Sequence, residues 1–433
     1  MHFYDYVIEY HRNTFNLLPD PLKPDKVKNS FTSSEPLPLS GGNLLFLCRE
    51  KEHTLEGGGG LLINRYCDPI IDLLPAEFSF VKIDVSSTLQ CTEDYFFKPH
   101  FYSLEEFSDE VSDLEFINNS LDDLQKLFAD YGLAGDFDRS SLTKHLHKVA
   151  GQVEFYKKIF HKHNAKAIFV RCYYCMDWHA ALIAAAVLDI PVIDIQHGRT
   201  GPFHPGYTHW GQLSESATRL IPDRFLLWSE QWANCIRTSE IDRLENRLFV
   251  TGDLWRNFAK ARLRVDDQIK KLQEVRSKYK TVVLISLQQY RYTQLPDYVF
   301  DCLCDETDGM FCLVRLHPRT NHSETLVKKF QKVKANISLA SSMPVSILFE
   351  FVDVHVTYNS TVAYEAAESG VPTVFTCPDS GVFGDLVEQG VALQCKSASE
   401  FSGRITQAVS MRKNIPSNDQ DNRQDLMKLF ACS

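Results

Sequence analysis

The chain has 433 residues, 44% of them hydrophobic and 24% charged, with a formal net charge of -10. This length predicts two or three domains with full hydrophobic cores. The acidic balance argues against a nucleic-acid partner, which needs broad clusters of Lys and Arg, but leaves room for a local basic pocket.

In chain order, residues 1–40 carry several prolines and little periodicity, and read as an irregular lead-in. The opening Met-His-Phe-Tyr-Asp-Tyr lacks the basic and apolar regions of a signal peptide. The longest apolar run, 180–188, is too short to cross a bilayer. These features predict a cytoplasmic protein, with peripheral attachment to the inner face of the plasma membrane left open. Of the 12 cysteines, Cys172 and Cys175 form a C-x-x-C, and Cys302 and Cys304 a C-x-C. Neither has a second half at metal-binding spacing and both lie in apolar segments, so they read as buried free thiols; no metal and no cofactor is expected.

Residues 44–48 and 61–64 read as strands, separated by the four glycines Gly57, Gly58, Gly59 and Gly60. Glycines before a strand are in the wrong order for a dinucleotide or phosphate-loop fingerprint, so the run reads as a flexible loop. Residues 78–85 form a further strand, and 103–131 an acidic helical stretch. Asp136-Phe137-Asp138 has the D-x-D form of a metal site, but it precedes Ser140 and Ser141 at a helix start, where a cap is the better reading. Helix 142–163, strand 167–171, helix 177–188 and strand 191–196 follow. This rhythm predicts a parallel sheet with crossover helices.

The last of these strands ends in Gln196-His197-Gly198-Arg199-Thr200-Gly201, a polar turn at the edge where open α/β sheets place ligands. A long loop with His204, Tyr207, His209 and Trp210 follows. Strands 224–228 and 247–251, the latter ending in Gly252-Asp253, precede a charged helix over 259–279. The rhythm then restarts with strand 281–286, helix 296–305, strand 311–316 and helix 324–333. Residues 353–375 read as strand, polar turn Asn359-Ser360-Thr361, helix 362–368, a stop at Gly370 and Pro372, and a second strand. Helices 398–411 and 422–430 close the chain. The two rhythms predict two domains, 1–215 and 216–433, with the last helix returning to the first half.

Candidate chemistry gathers at these strand ends. His197 can act as a general base or donate to a phosphate or sugar oxygen. Gly198 permits close approach to the backbone, and Arg199 adds charge. Asp253 is a second candidate base. In Arg315-Leu316-His317-Pro318-Arg319, strand alternation puts Arg315 and His317 on one side, Pro318 ends the strand, and two arginines with a histidine suit a phosphate. Asn359, Ser360 and Thr361 offer polar groups at a helix start, with Glu365 one turn further in, where a ribose diol could sit. Gln196, Gly198, Arg199, His204, Ser286 and Gln288 are candidates for acceptor or sugar contact.

Gln-His-Gly ending the first half, Arg-x-His-Pro and Asn-Ser-Thr in the second, and Glu365-Ala366-Ala367-Glu368-Ser369-Gly370-Val371-Pro372 together resemble the bacterial GT-B glycosyltransferases of capsule and lipopolysaccharide biosynthesis. Within these, the resemblance is to the capsular polysaccharide, Kdo-transferase and sialyltransferase-like group, and it covers about residues 165–395. It implies an α/β fold of two Rossmann-like domains facing across a cleft, the first on the acceptor side and the second holding a nucleotide-sugar donor. His317, Ser360 and Thr361 would hold the donor phosphate, Glu365 the ribose, and His197 would face the acceptor or reacting sugar. Such enzymes transfer a sugar, without a metal, to a growing surface polysaccharide or lipid-linked glycan. Three alternatives remain open: a CDP-polyol phosphotransferase of teichoic-acid-like polymer synthesis, a nucleotide-sugar epimerase, and a non-catalytic scaffold.

Overall fold

The computed structural model describes residues 42–49, 53–54, 61–85, 94–103, 121–122, 125–126, 129–130, 138–198, 200, 204, 206–208, 219–239, 247–288, 295–305, 309–317, 328, 330, 335–377, 383–412 and 423–430. The four-glycine run, Asp136, Arg199, His209, Trp210, Pro318, Arg319 and most of the expected helix 324–333 lie outside them. The described chain divides into two compact units.

The first unit is built on a seven-stranded sheet. Its strands are β1 (Asn43–Cys48), β4 (Ser79–Val85), β5 (His100–Tyr102), β6 (Ala165–Arg171), β7 (Val192–Ile195), β8 (Arg224–Leu227) and β9 (Leu248–Val250). They lie in the order β5-β4-β1-β6-β7-β8-β9, every pairing parallel. A small antiparallel pair, β2 (His53–Thr54) and β3 (Ile63–Asn64), stands apart. The central strands are continuous apolar runs because both faces are covered: Leu44 to Cys48 and Ala167 to Val170 are fully buried. Helices α1 (Cys67–Leu73), α2 (Arg139–Lys162), α3 (His179–Val187) and α4 (Glu230–Ser239) supply the layers. Asp138 caps α2 as expected of it, accepting from Ser141 N at 3.1 Å and from Ser141 Oγ at 2.7 Å.

A buried ion pair ties α1 to β4. Lys82 Nζ donates to Asp68 Oδ1 at 2.6 Å and to the Phe97 carbonyl at 3.1 Å, while Asp68 Oδ2 accepts from Asn64 N at 2.8 Å. Both charged side chains are fully enclosed. The closing helix, Arg423–Phe430, belongs to this unit; Phe430 packs on Phe78 and on Phe169 of β6.

The second unit carries a six-stranded parallel sheet of β10 (Thr281–Ser286), β11 (Met310–Arg315), β12 (Ala335–Asn336), β13 (Val354–Thr357), β14 (Thr373–Phe375) and β15 (Ala392–Gln394). The order is β12-β11-β10-β13-β14-β15. Its helices are α5 (Leu254–Arg262), α6 (Asp266–Lys278), α7 (Asp297–Asp305), α8 (Ile337–Ser341), α9 (Val345–Leu348), α10 (Val362–Glu368), α11 (Gly384–Glu388) and α12 (Ala398–Met411). Val283, Ile285, Val314, Val354, Val356 and Val374 form its core with Phe401 and Ile405 of α12. Asp353, just before β13, accepts from Val282 N at 2.8 Å and pairs with Arg276 of α6. Asp223, just before β8, does the same in the first unit, accepting from Val192 N at 2.8 Å. Each carboxylate fixes the register of a strand against its neighbour.

Two expectations change. The boundary falls after Thr251, not at residue 215, because β8 and β9 hydrogen-bond into the first sheet. The single helix expected over 259–279 is two, α5 and α6, broken where Leu263 and Val265 turn inward.

Candidate functional site

Each unit has one topological switch point, the place outside the carboxyl ends of the strands where an open α/β sheet collects a ligand. In the second unit the chain leaves β10 for β11 and β12 on one side, then returns to β13, β14 and β15 on the other. Ser286 pairs level with Arg315 and with Thr357, so Gln288, His317 and the Asn359–Thr361 turn all emerge at one edge. In the first unit the switch lies between β1 and β6, with the turn after β7 beside it.

At the second edge, Ser360 Oγ accepts from Val362 N at 3.3 Å just ahead of α10, whose N-cap position is Thr361. Gly370 closes that helix with φ +70°, a left-handed turn suited to glycine. Asn359 is half-buried, and its Oδ1 is enclosed with no hydrogen-bond partner among the described residues. Thr361 is exposed, and Glu365, His317 and Gln288 are half-buried.

Two residues expected to meet the ligand are committed elsewhere. The Arg315 guanidinium donates to the carbonyls of Ala340, at 2.9 Å, and Met343, at the end of α8. Cations are favoured at that end of a helix, so Arg315 is a strut under the edge rather than a phosphate clamp. Ser286 Oγ lies 2.7 Å from Nε2 of His355, whose Nδ1 lies 3.0 Å from Thr373 Oγ1. This chain across β10, β13 and β14 is fully buried and gives Ser286 no free hydroxyl.

His355 also sets a pH response. Burial pushes its pKa down to about 3. The unfolded chain then binds a proton that the native chain refuses, so the contribution is complete above about 6.5 and is lost as pH falls toward 3. The slope is about 1.4 kcal/mol per pH unit. Urea denaturation at pH 7 and pH 5 should therefore show a gap about 2 kcal/mol smaller in His355→Gln than in the parent. An equal gap in both proteins refutes the assignment.

At the first edge the sequence missed an aromatic and cationic cluster. The guanidinium groups of Arg65 and Arg171 each stand 5.3 Å from the Tyr66 ring centre, and Tyr66 meets His197 edge-on at 6.5 Å. Tyr174, in the turn after β6, places its hydroxyl 3.4 Å from His197 Nε2 and 3.2 Å from His204 Nε2. His204 Nδ1 accepts from Gly206 N at 3.2 Å. That bond leaves the neutral His204 ring its proton on Nε2, to donate to Tyr174 Oη, and the Tyr174 hydroxyl stands between His197 Nε2 and Cys172. His197 Nδ1 is enclosed and has no partner among the described residues. Burial, then the nearby Arg171, brings the His197 pKa down to about 3. A local sequence signal for this cluster was the Tyr173-Tyr174 pair ending a strand; contact with His204, thirty residues on, left none.

Gln196 is a strut as well. Its Oε1 accepts from Trp228 N at 2.7 Å and its Nε2 donates to the Gly198 carbonyl at 2.7 Å, binding the end of β8 to the turn, and at 2% exposure the side chain is shut away from an acceptor. A Cβ at Gly198 would meet nothing within 4 Å, so the backbone there is open to approach. Asp194 of β7 accepts from Tyr173 N at 3.0 Å and Tyr207 Oη at 2.8 Å, and burial lifts its pKa to about 7. Asp253 stands at the N-terminus of α5 in the second unit, whereas His197 belongs to the first. Cys48, His53 and Asp84 bring donor atoms within 4.8 Å of one another. The Cys48 thiol is turned to the Ile83 carbonyl and His53 Nδ1 to that of Arg49, with Asp84 Oδ2 3.6 Å from His53 Nδ1.

Two Rossmann-like α/β units in one chain define the GT-B fold class. Among solved structures, the UDP-GlcNAc 2-epimerase of Neisseria meningitidis bound to UDP-GlcNAc shares this fold with a TM-score of 0.53 and 12% identity, over 90% of this chain and 99% of that one. A UDP-N-acetylglucosamine 2-epimerase matches with a TM-score of 0.52 and 10% identity, over 90% and 95%. The Methanocaldococcus jannaschii UDP-GlcNAc 2-epimerase in complex with UDP-GlcNAc and UDP matches with a TM-score of 0.50 and 13% identity, over 90% and 99%. No protein-family model matches the chain, and no curated protein matches it in sequence.

Proposed function

We propose that the protein is a nucleotide-sugar enzyme that transfers the sugar to a glycan acceptor, with the nucleotide at the switch point of the second unit. The observation that carries this reading is the enclosed, unpartnered Oδ1 of Asn359 at that switch point. A buried acceptor with no donor calls for a ligand group, and a ribose or sugar hydroxyl supplies one. Ser360, Thr361, His317, Gln288 and Glu365 surround the same edge and offer donors for phosphate and an acceptor for a diol. The fold shared with enzymes solved with UDP-GlcNAc supports the choice of ligand. The acceptor side falls to the first unit, where His197 Nδ1 is enclosed without a partner among the described residues and His204 and Gly198 stand near. Among the described residues no helix is long and apolar enough to cross a membrane.

The test is a thermal-shift and calorimetric screen of UDP, CDP and CMP. A nucleotide at about 100 times its dissociation constant should stabilise the protein by about 2.7 kcal/mol. Ser360→Ala should weaken binding by about 1.5–3 kcal/mol, the worth of a hydrogen bond to a charged group, and Asn359→Ala by about 0.5–1.5 kcal/mol, that of a neutral one. For Asn359→Ala the unliganded protein should be as stable as the parent or more so, because an unsatisfied buried acceptor is removed. Lost stability with unchanged affinity would make Asn359 structural and sink the proposal.

A second reading, a nucleotide-sugar 2-epimerase, draws on the same fold likeness. NMR of UDP-GlcNAc incubated without an acceptor separates the two: the 2-epimer accumulates under the second reading, while the first releases UDP only when an acceptor is added. Release of CMP from a CDP-alcohol would instead indicate a polyol phosphotransferase.

A further inference from the structure

The C-x-x-C motif read as inert buried thiols is an assembled pair. Cys172 Sγ and Cys175 Sγ lie 3.0 Å apart, in a turn closed by Cys175 N–H donating to the Cys172 carbonyl at 2.8 Å. Cys172 holds φ +60°, a left-handed conformation strained for a residue with a side chain. The bend ends β6 and brings the two sulfurs together. Cys172 is 4% exposed, while Cys175 is half-buried and the more accessible. The hydrogen bond to Cys175, then burial, raises the Cys172 thiol pKa. Cys172 therefore keeps its proton, and Cys175, 3.0 Å away, is the sulfur that can meet a reagent. Neither thiol has a role in the function proposed above.

We propose that Cys172 and Cys175 form a modification site: an intrachain disulfide made by exchange with a small disulfide of the glutathione class, with Cys175 as the attacking sulfur. The Cys175 thiolate attacks one sulfur of the external disulfide; a Cys175 mixed disulfide forms and the external S–S bond breaks, expelling one thiolate. Cys172, deprotonated as it reacts, then attacks Cys175 Sγ, forming the Cys172–Cys175 bond and expelling the second thiolate. Two protein thiols are oxidised, one external disulfide is reduced to two thiols, and the two protons pass to them. The turn that closes carries Tyr174, so the redox state of the pair bears on the phenol that meets His197 and His204.

The experiment uses the full chain, reduced, freed of reductant and incubated with oxidised glutathione, then quenched with acid, alkylated and digested with trypsin. The peptide from Cys172 to Arg199 contains these two cysteines and no other. In the parent it should appear unalkylated and lighter by two hydrogens. In Cys172→Ser, glutathione should remain on Cys175 as a stable mixed disulfide. In Cys175→Ser, Cys172 should react at least about tenfold more slowly than Cys175 does in Cys172→Ser. A parent peptide alkylated on both sulfurs, or one that accumulates the mixed disulfide without closing, overturns the proposal whether or not the variants fold. Equal rates in the two folded variants overturn the assignment of Cys175 as the attacking sulfur.

Discussion

Replacing His197 with alanine is expected to cut turnover of a nucleotide sugar about 10- to 100-fold, and asparagine at the same position to restore most of the loss. The sequence left His197 either a general base or a donor; a base titrating near 6.5 would be worth about 100- to 10,000-fold. In the structure its pKa is brought to about 3 by burial and Arg171, and its Nε2 is engaged by Tyr174. A base weakened by more than three units is poorly matched to an acceptor hydroxyl at neutral pH. With Tyr174 donating to Nε2, the ring offers an Nδ1–H that is enclosed and without a partner among the described residues. Its worth is that of one hydrogen bond to a charged or developing charge. Asparagine places an amide N–H near that position, whereas a base could not be replaced by an amide. The pH profile of the parent should show no limb from His197 near 6.5. Loss of a limb near 6.5 in His197→Asn, with activity no better than in His197→Ala, would restore the base and refute the donor.

Lys82→Met is expected to destabilise the protein by about 3–5 kcal/mol, a large share of the 5–15 kcal/mol that holds a typical domain. The pair Lys82–Asp68 is shut off from water, and burial raises the Asp68 pKa against the opposing pull of Lys82. Methionine fills most of the volume of the lysine stem, so the loss arises chiefly from a carboxylate left unpaired. Adding Asp68→Asn should recover much of it. The amide removes the charge and its Oδ1 can still accept the Asn64 N–H that Asp68 holds at 2.8 Å. Urea denaturation of the parent, the single and the double variant decides the matter. A single variant within 1 kcal/mol of the parent would show that the site relaxes or admits water.

Local signals carried much of the fold. The alternation and caps over 353–375 placed β13, α10 and β14, because each element there is punctuated by its own residues: Ser360 at the helix start, Gly370 and Pro372 at its end. Strand 281–286 and helix 398–411 were legible for the same reason, as apolar runs and stripes long enough to show their period. The α5–α6 break was not, since Leu263, Arg264 and Val265 contain no glycine or proline and the bend follows from where Leu263 and Val265 are buried. The short helices α8, α9 and α11, of four or five residues, had too little period to read.

The sequence by itself determined two successive strand–helix rhythms and the polar residues that end their strands. Period, capping and chain-breaking act within a few residues and leave their mark in composition. Which polar residues face a ligand was decided only by tertiary contact. Gln196, Ser286 and Arg315 look as free in the sequence as Asn359 and His197. They are consumed by Trp228, His355 and Ala340, partners 25 to 69 positions away. The domain boundary was decided the same way: nothing near residue 215 says that β8 and β9 belong to the first sheet until their backbones pair with β7 and each other. A side chain's hydrogen-bonding capacity is a local property, but what satisfies it is set by packing across the chain.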